Sequence, residues 1–385
     1  MYVARVNRRA SARWRRGHPW IFRSDVIEPP AGPPGPVGVI GERGDFLGMG
    51  LWSPLSQISL RMLTAQETAI DFGFWVARVR AAADYREALG IEGTACRVIH
   101  GEADHLPSLI VDRYGETVVV QLLSAGLEAC RSDVLAALIE VLAPAGVLAR
   151  NDVGVRRAEG LGEDIELLYG TVPDIVEVEE SGIRYQVAPR TGQKTGAFLD
   201  QRENRKRAGE LSHGNALDCF SYHGSFALHL AKCAAAVVAV DSSGPALARA
   251  GDNAARNGFW HIQLVEANVF DFLRAQETAR VRYDTIVVDP PAFAKRRDAV
   301  DQALRAYKEV NLRAMKLLSA GGILATFSCS HHVSAPLFRE MLESAAADAQ
   351  RPIRWLETRG QARDHPEIVQ IPESAYLKGA ILQAE

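Results

Sequence analysis

Apolar and polar positions alternate at the start of the chain, in Tyr2-Val3-Ala4-Arg5-Val6, and then break at Gly17-His18-Pro19-Trp20 and through the proline-rich stretch Pro29 to Pro36. Short apolar runs follow at Val37 to Ile40 and Phe46 to Leu51. Short strands punctuated by glycine and proline predict a small β barrel. From Ile70 to Leu89 the apolar spacing becomes that of a helix, which stops at Gly90, so a first boundary falls near residue 72. Beyond it the pattern predicts a hairpin over Cys96 to Asp112, a strand from Thr117 to Leu123, a helix from Leu127 to Leu142 and a strand from Val147 to Arg150, which together make a compact α+β region. Two alternating runs, Ile175 to Glu179 and Ile183 to Ala188, flank Glu180-Ser181-Gly182 and read as a further hairpin.

After Gly192 the chain alternates between fully apolar strands and amphipathic helices. The strands are Ala216 to Phe220, Ala236 to Val240, Ile262 to Glu266, Thr285 to Val288 and Ile323 to Phe327. The helices are Ser225 to Cys233, Pro245 to Asn257, Val269 to Ala275, Asp301 to Leu318 and Ala335 to Ala347. Strands buried on both faces and joined by helices predict a doubly wound parallel sheet, to which Ile353 to Glu357 and Ala375 to Leu382 add two closing strands. The expected fold class is multidomain α/β, with domains over residues 1–72, 73–189 and 190–385.

A chain of 385 residues with 47% hydrophobic content can fill more than one core. No apolar run approaches the roughly 20 residues of a membrane span, and the arginine-rich start lacks the apolar stretch of a signal peptide. The 5 cysteines, at 96, 130, 219, 233 and 329, form no CxxC or Cys/His grouping, which argues against disulfides and metal and suits the cytoplasm. The net charge of −3 conceals a basic start: Arg5, Arg8, Arg9, Arg13, Arg15, Arg16 and Arg23 share their stretch with Asp25 alone. Such a cluster is the footprint of a nucleic-acid contact, and equally of a solvated face or an organelle presequence.

Candidate chemistry gathers at predicted strand ends. Leu217-Asp218-Cys219-Phe220-Ser221-Tyr222-His223-Gly224 reads as strand, turn and helix start, with one glycine where a GxGxxG dinucleotide turn needs three. Asp241 ends the next strand, where a carboxylate can accept both hydroxyls of a ribose, and Asn268 ends the third, where an amide can meet an adenine edge. Singly, each is more often a helix cap; the ordered series is the stronger signal. The run Thr285 to Val288 ends in Asp289-Pro290-Pro291, and Gly322 to Thr326 leads into Phe327-Ser328-Cys329-Ser330-His331-His332. A possible nucleophile and a possible acid or base are thus delivered to one sheet edge. Cys96, Cys130, Cys219 and Cys233 read as small apolar packing residues.

The spacing of Asp218, Gly224, Asp241, Asn268 and Asp289-Pro290-Pro291 resembles a class I S-adenosylmethionine (SAM)-dependent methyltransferase. The segment from Thr191 to Arg205, with Gly17-His18-Pro19-Trp20-Ile21-Phe22, Arg156 to Leu161 and Tyr376-Leu377-Lys378-Gly379, is similar to the PUA-domain ribosomal RNA large subunit methyltransferase I family along the whole chain. The resemblance implies a PUA-like barrel, a central EEHEE domain, a C-terminal methyltransferase domain, SAM as cofactor and cytosine C5 methylation in 23S rRNA. It implies that Asp241 holds the ribose and Asn268 the adenine, while Phe220, Tyr222 and Gly224 wall the methionine part, Phe198 and Arg202 close the pocket, and Asp218, Asp289 and Pro290 complete it. Many relatives carry aspartate at the place of Asn268 and a glycine pair at the place of Gly224-Ser225.

Cytosine C5 chemistry begins with a thiolate adding to C6, a role that falls to Cys329, with Asp289 bonding the N3/N4 edge. Ala292 and Phe293 stand where two-cysteine enzymes carry their second thiol, so Cys329 would act alone, and Asp289, a water or His331 or His332 remains to take the C5 proton. Pro291, Phe293, which could stack on an unstacked base, Lys194, Arg15 and Arg16 are the expected RNA contacts. The expected partners are 23S rRNA, naked or in an assembly intermediate, and no membrane; a homodimer stays open. Base-amine methylation and a non-catalytic RNA-binding assembly factor stand as alternatives, with a dinucleotide oxidoreductase last for want of its glycines.

Overall fold

The computed structural model describes residues 1–294 and 297–385 and divides into two compact units. The first comprises residues 1–178, 187–199 and 363–374; the second comprises 179–186, 200–362 and 375–385.

In the first unit, six short strands form one sheet in the order Trp20–Ile21, Leu60–Thr64, Phe46–Trp52, Gly35–Ile40, Val3–Val6 and Val26–Glu28. Alternation places Ala4, Val6, Val37, Val39, Leu60 and Met62 in its core. The arginine run, for which the apolar pattern gave no element, forms a helix over Arg8–Arg15, because Asn7 caps it by accepting from the Ala10 amide at 2.9 Å. Its charges are largely matched within the unit. Buried Asp25 receives Arg9 and Arg13, each at 2.9 Å, while Arg5 meets Glu28, Arg8 meets Glu42 and Arg15 meets Asp45. The basic cluster is therefore threaded with ion pairs, with Arg16 and Arg43 exposed beside it.

A second sheet of the same unit runs Ile165–Gly170, Gly146–Arg150, Thr117–Leu122, Leu109–Tyr114 and Ala95–His100. Helices Phe72–Ala88 and Arg131–Leu142 cover it through Trp75, Val79, Val134 and Leu138. The helix expected over Leu127 to Leu142 is broken, since Cys130 leaves helical geometry at φ −101°, ψ 9° and separates a short turn, Ala125–Glu128, from the main helix. The edge strand Ile165–Gly170 escaped the sequence reading because its apolar residues Ile165, Leu167 and Tyr169 face solvent.

The second unit holds a seven-stranded sheet: Ile262–Glu266, Ala236–Asp241, Asn215–Cys219, Tyr283–Val288, Leu318–Ser328, Lys378–Ala384 and Ile353–Arg359. The first five run parallel, Lys378–Ala384 runs antiparallel to them, and Ile353–Arg359, antiparallel in turn to Lys378–Ala384, shares the direction of the five. Numbered as they appear in the chain, these strands lie 3-2-1-4-5-7-6, so the winding reverses between Asn215–Cys219 and Tyr283–Val288. That reversal opens a crevice at the carboxyl ends of the two strands. Helices cover both faces, with Leu217, Val240, Ile286 and Leu324 in one layer and Phe226, Leu230, Ala325 and Phe327 in the other. Cys219 and Cys130 are buried as expected of packing residues, but Cys233 is exposed, because the helix begun at Ser225 ends at Leu230 and leaves it in the following turn.

One buried charge cluster ties the unit together. Arg205, on the helix Arg202–Leu211, meets Glu180 through two bonds of 2.7 and 2.6 Å, and His229 and Tyr185 complete the shell of that carboxylate at 3.2 and 3.1 Å. Burial opposes the charge, yet Arg205 and His229 hold the carboxyl of Glu180 well below its usual range. Removing one partner of such a pair strands the other charge. Glu180→Ala is expected to lower unfolding free energy by about 3–5 kcal/mol, read from the denaturant midpoint at constant m-value.

Candidate active site

Asp218 lies near the end of the Asn215–Cys219 strand, with Oδ2 accepting from Ser221 Oγ at 2.7 Å and from the Ala227 amide at 2.9 Å. Its Oδ1 is buried and has no partner among the described residues. Burial, with Asp289 and Asp241 adding to it, pushes its pKa up to about 7 against the two hydrogen bonds. The turn beyond it is strained: Phe220, Tyr222 and Gly224 adopt φ of 64°, 51° and 83°. A left-handed non-glycine residue costs about 1–2 kcal/mol, so two of them mark a loop held for its shape. Gly224 serves that turn by packing: a Cβ there would come 2.9 Å from Ala250 Cβ.

Asp241 holds the same turn from the neighbouring strand. Its Oδ2 accepts from the Tyr222 amide at 2.9 Å and its Oδ1 from the Ser243 amide at 2.8 Å. Each carboxylate oxygen keeps a further lone pair, so ribose hydroxyls can still be accepted. Asn268 is the N-cap of the helix Val269–Thr278, its Oδ1 accepting from the amides of Phe270 and Asp271 at 2.9 and 3.4 Å. That commitment leaves Nδ2 to meet a ligand, as a donor only. Phe220, Phe270 and Phe293 group with centroids 6.1–6.3 Å apart, and Phe293 also packs on Tyr307 at 4.8 Å. The ring expected to stack on a base is thus part of an aromatic wall.

Asp289 and Cys329 emerge from adjacent parallel strands, Tyr283–Val288 and Leu318–Ser328, which pair through Val288 and Thr326. Gln201 Nε2 donates to Asp289 Oδ1 at 2.8 Å. The two loops are stitched together: Ser330 Oγ accepts from the Ala294 amide at 3.2 Å and lies 2.9 Å from the Tyr307 hydroxyl. Cys329 is half-buried between the buried Ser328 and Ser330. Pro290 is buried and Pro291 exposed in the same loop, while Arg202 is buried at the start of its helix, 3.2 Å from Glu203. His331 stacks on Tyr376 with centroids 5.4 Å apart.

Other expected contacts belong to the first unit. There the Lys194 ammonium lies 4.6 Å from the Phe198 ring centroid, Arg15 is paired with Asp45, and Arg16 caps its helix in solvent. The sequence reading assigned no role to Gln201, Ser330, Tyr307 or Lys378. Gln201 and Lys378 fall within segments that already stood out, but their partners Asp289 and Ser330 lie 88 and 48 residues away.

Aromatic walls, a strand-end carboxylate and an amide donor suit an adenosine, and the mutual field of Asp218, Asp241 and Asp289 suits a cationic sulfonium. A doubly wound sheet with this order, strand-end acids and no GxGxxG turn defines a SAM-dependent methyltransferase. The comparisons agree. Residues 4–65 match the PUA-like domain family and residues 126–382 the S-adenosylmethionine-dependent methyltransferase family. The chain is 41% identical over 377 residues to the ribosomal RNA large subunit methyltransferase I of Shewanella frigidimarina, covering 95% of each. It is 40% identical over 381 residues to that of Tolumonas auensis, covering 96% of each. In fold it is similar to a protein of Streptococcus mutans described as a SAM-dependent methyltransferase, with TM-score 0.84, 22% identity and 100% of both chains covered. A methyltransferase structure described as complexed with SAH gives TM-score 0.85 at the same identity and coverage. The chain belongs to the ribosomal RNA large subunit methyltransferase I family.

The raised pKa of Asp218 has a measurable consequence. A carboxyl lifted from 3.8 to about 7 contributes stability that is complete below the unfolded value and is lost as pH rises through the folded one. Asp218→Asn, which keeps an acceptor for Ser221 and Ala227, should therefore gain on the wild type by about 1.4 kcal/mol per pH unit between pH 4 and 7, and then level off. Denaturant unfolding of the cofactor-free protein across that range reads the difference; parallel curves would refute it.

Proposed function

We propose that this protein transfers a methyl group from SAM to C5 of a cytosine in 23S rRNA through a covalent adduct at Cys329. The observation that carries the reading is the delivery of Cys329 and Asp289 by neighbouring parallel strands, beside the turn formed by Asp218 and Asp241. Cytosine C5 is too weak a nucleophile to be methylated unaided. A thiolate adding to C6 pushes the C5=C6 electron pair onto C5, making it enamine-like. SAM, when bound, supplies the electrophilic methyl. Asp289, oriented by Gln201, would bond the N3/N4 edge and stabilise the ring as Cys329 attacks. Loss of the C5 proton then restores the double bond and expels the thiolate.

On this reading Asp241 holds the ribose and Asn268 donates to the adenine. Phe220, Tyr222 and Gly224 shape the turn around the methionine end, with Asp218 beneath it and Arg202 and Pro290 completing the pocket. Pro291 and Phe293 back the target base, which must leave its stack to reach the thiol. Residues 1–72 and their exposed arginines, together with Lys194, would hold flanking RNA through phosphates, while 73–189 form the central domain and 190–385 the catalytic one. A reduced thiol and an RNA substrate suit the cytoplasm, and the relatives' printed names support rRNA as the target.

Cys329→Ala should abolish 5-methylcytosine in rRNA incubated with the enzyme while leaving SAM binding intact by calorimetry. Retained methylation would sink the C5 reading and favour attack by an exocyclic amine, which needs no thiol. Asp241→Ala removes the ribose acceptor and the anchor of the Tyr222 amide together. SAM affinity should fall about tenfold or more, roughly 1.4 kcal/mol, in the same assay.

A further inference from the structure

The strand Lys378–Ala384 runs antiparallel to Leu318–Ser328 and places Lys378 opposite Ser328, one residue before the thiol. From there the Lys378 Nζ donates to the carbonyls of Ser330 and Tyr376, both at 2.7 Å. The ammonium is thereby fastened to the residue that follows Cys329, and successive Cα atoms lie only about 3.8 Å apart. Both acceptors are neutral, so its charge is not cancelled by a carboxylate. The side chain is half-buried, in surroundings that screen a charge less than water does.

We propose that Lys378 is a positioning residue that holds Cys329 as a thiolate, its ammonium supplying the field that favours the anion before RNA arrives. The inference rests on reading Cys329 as the nucleophile. The two groups are coupled: burial brings the amine down to about 8, and Cys329 acts in the opposite sense. Among the described residues, the neighbouring acids work against the thiolate. Tyr307, from the helix Val300–Leu317, is a phenol that burial pushes further up, with Cys329 adding to that rise. His331 lies against Tyr376, whose hydroxyl donates to Asp200 at 2.7 Å, and Asp289 ends the adjoining strand. A carboxylate in either place raises a thiol rather than lowering it.

The chemistry balances without a further reactant. On ionisation the thiol proton passes to solvent water and the sulfur keeps the electron pair. That pair forms the S–C6 bond as the C5=C6 pair moves to C5. The C5 pair takes the methyl of SAM, whose methyl–sulfur pair stays on the departing sulfur; solvent water then takes the C5 proton, the C5–H pair forms C5=C6, the C6–S bond breaks with its pair on sulfur, and the thiolate is regenerated beside the ammonium.

Alkylation by iodoacetamide, followed at the Cys329 peptide by mass spectrometry across pH, reads the thiolate directly, since the thiol itself is inert. In the wild type the inflection should lie clearly below the ordinary thiol value of about 8.5. In Lys378→Met it should rise by about one unit, slowing alkylation at neutral pH roughly tenfold, whereas Lys378→Arg should restore most of the rate. A wild-type inflection at or above about 8.5 overturns the proposal, and so does a Lys378→Met profile that overlays the wild type. If Lys378→Met fails to fold, the wild-type inflection and the Lys378→Arg profile decide. Methylation that persists in Cys329→Ala defeats the nucleophile reading itself. Methylation that requires Cys329, with an unshifted thiol, defeats only the role given to Lys378.

Discussion

The parallel ladder joining Asn215–Cys219, Tyr283–Val288 and Leu318–Ser328 is the constraint on which the rest depends. Parallel pairing sends every carboxyl end to one edge, and register then sets which residue stands beside which. Ala216 pairs with Thr285, and Thr285 with Ile323, so Asp218, Asp289 and Cys329 reach that edge from three neighbouring strands. A slip of one residue would turn Leu217, Ile286 and Leu324 from their own helix layer to the opposite one and put Asp218, Asp289 and Cys329 out of step at that edge. The apolar core thus enforces the geometry of the polar site.

That edge concentrates negative charge in a poorly solvated place. Asp218 is lifted because its burial and the nearby Asp241 and Asp289 all disfavour a further anion. Such an arrangement lowers the stability of the empty protein and suits a cation. The cost is offset elsewhere in the unit, where the Glu180–Arg205 pair and the aromatic group around Phe293 are fully engaged in packing. The loop of left-handed residues from Phe220 to Gly224 persists for the same reason, pinned by Asp241 from one side and Ala250 from the other.

Much of this was legible in the sequence, and unevenly so. The alternation after Gly192 predicted the parallel sheet and its two closing strands, because buried strands are uniformly apolar and helices carry a 3.6-residue period. Asp241 and Cys329 stood out as polar residues at the ends of apolar runs. The strand Ile165–Gly170 did not, since its apolar side faces solvent and its pattern carries no inward signal. Nor did the helix Arg8–Arg15, whose start depends on a side-chain cap at Asn7 rather than on apolar spacing. The basic start read as a cluster sharing its stretch with Asp25 alone, and only the fold buries Asp25 beneath it, where it takes up two of the arginines.

By itself the sequence determined the order of elements, the candidate nucleophile and the acids at the strand ends, because those follow from periodicity and local chemistry. Only the tertiary structure decided what each of them faces. Asn268 spends its oxygen on a helix cap, Phe293 stands in an aromatic wall, Gln201 orients Asp289, and Lys378 comes to Cys329 from the far end of the chain. The cap at Asn268 is local, but the partners of Gln201 and Lys378 lie 88 and 48 residues away, and no local pattern encodes a distance that folding alone closes.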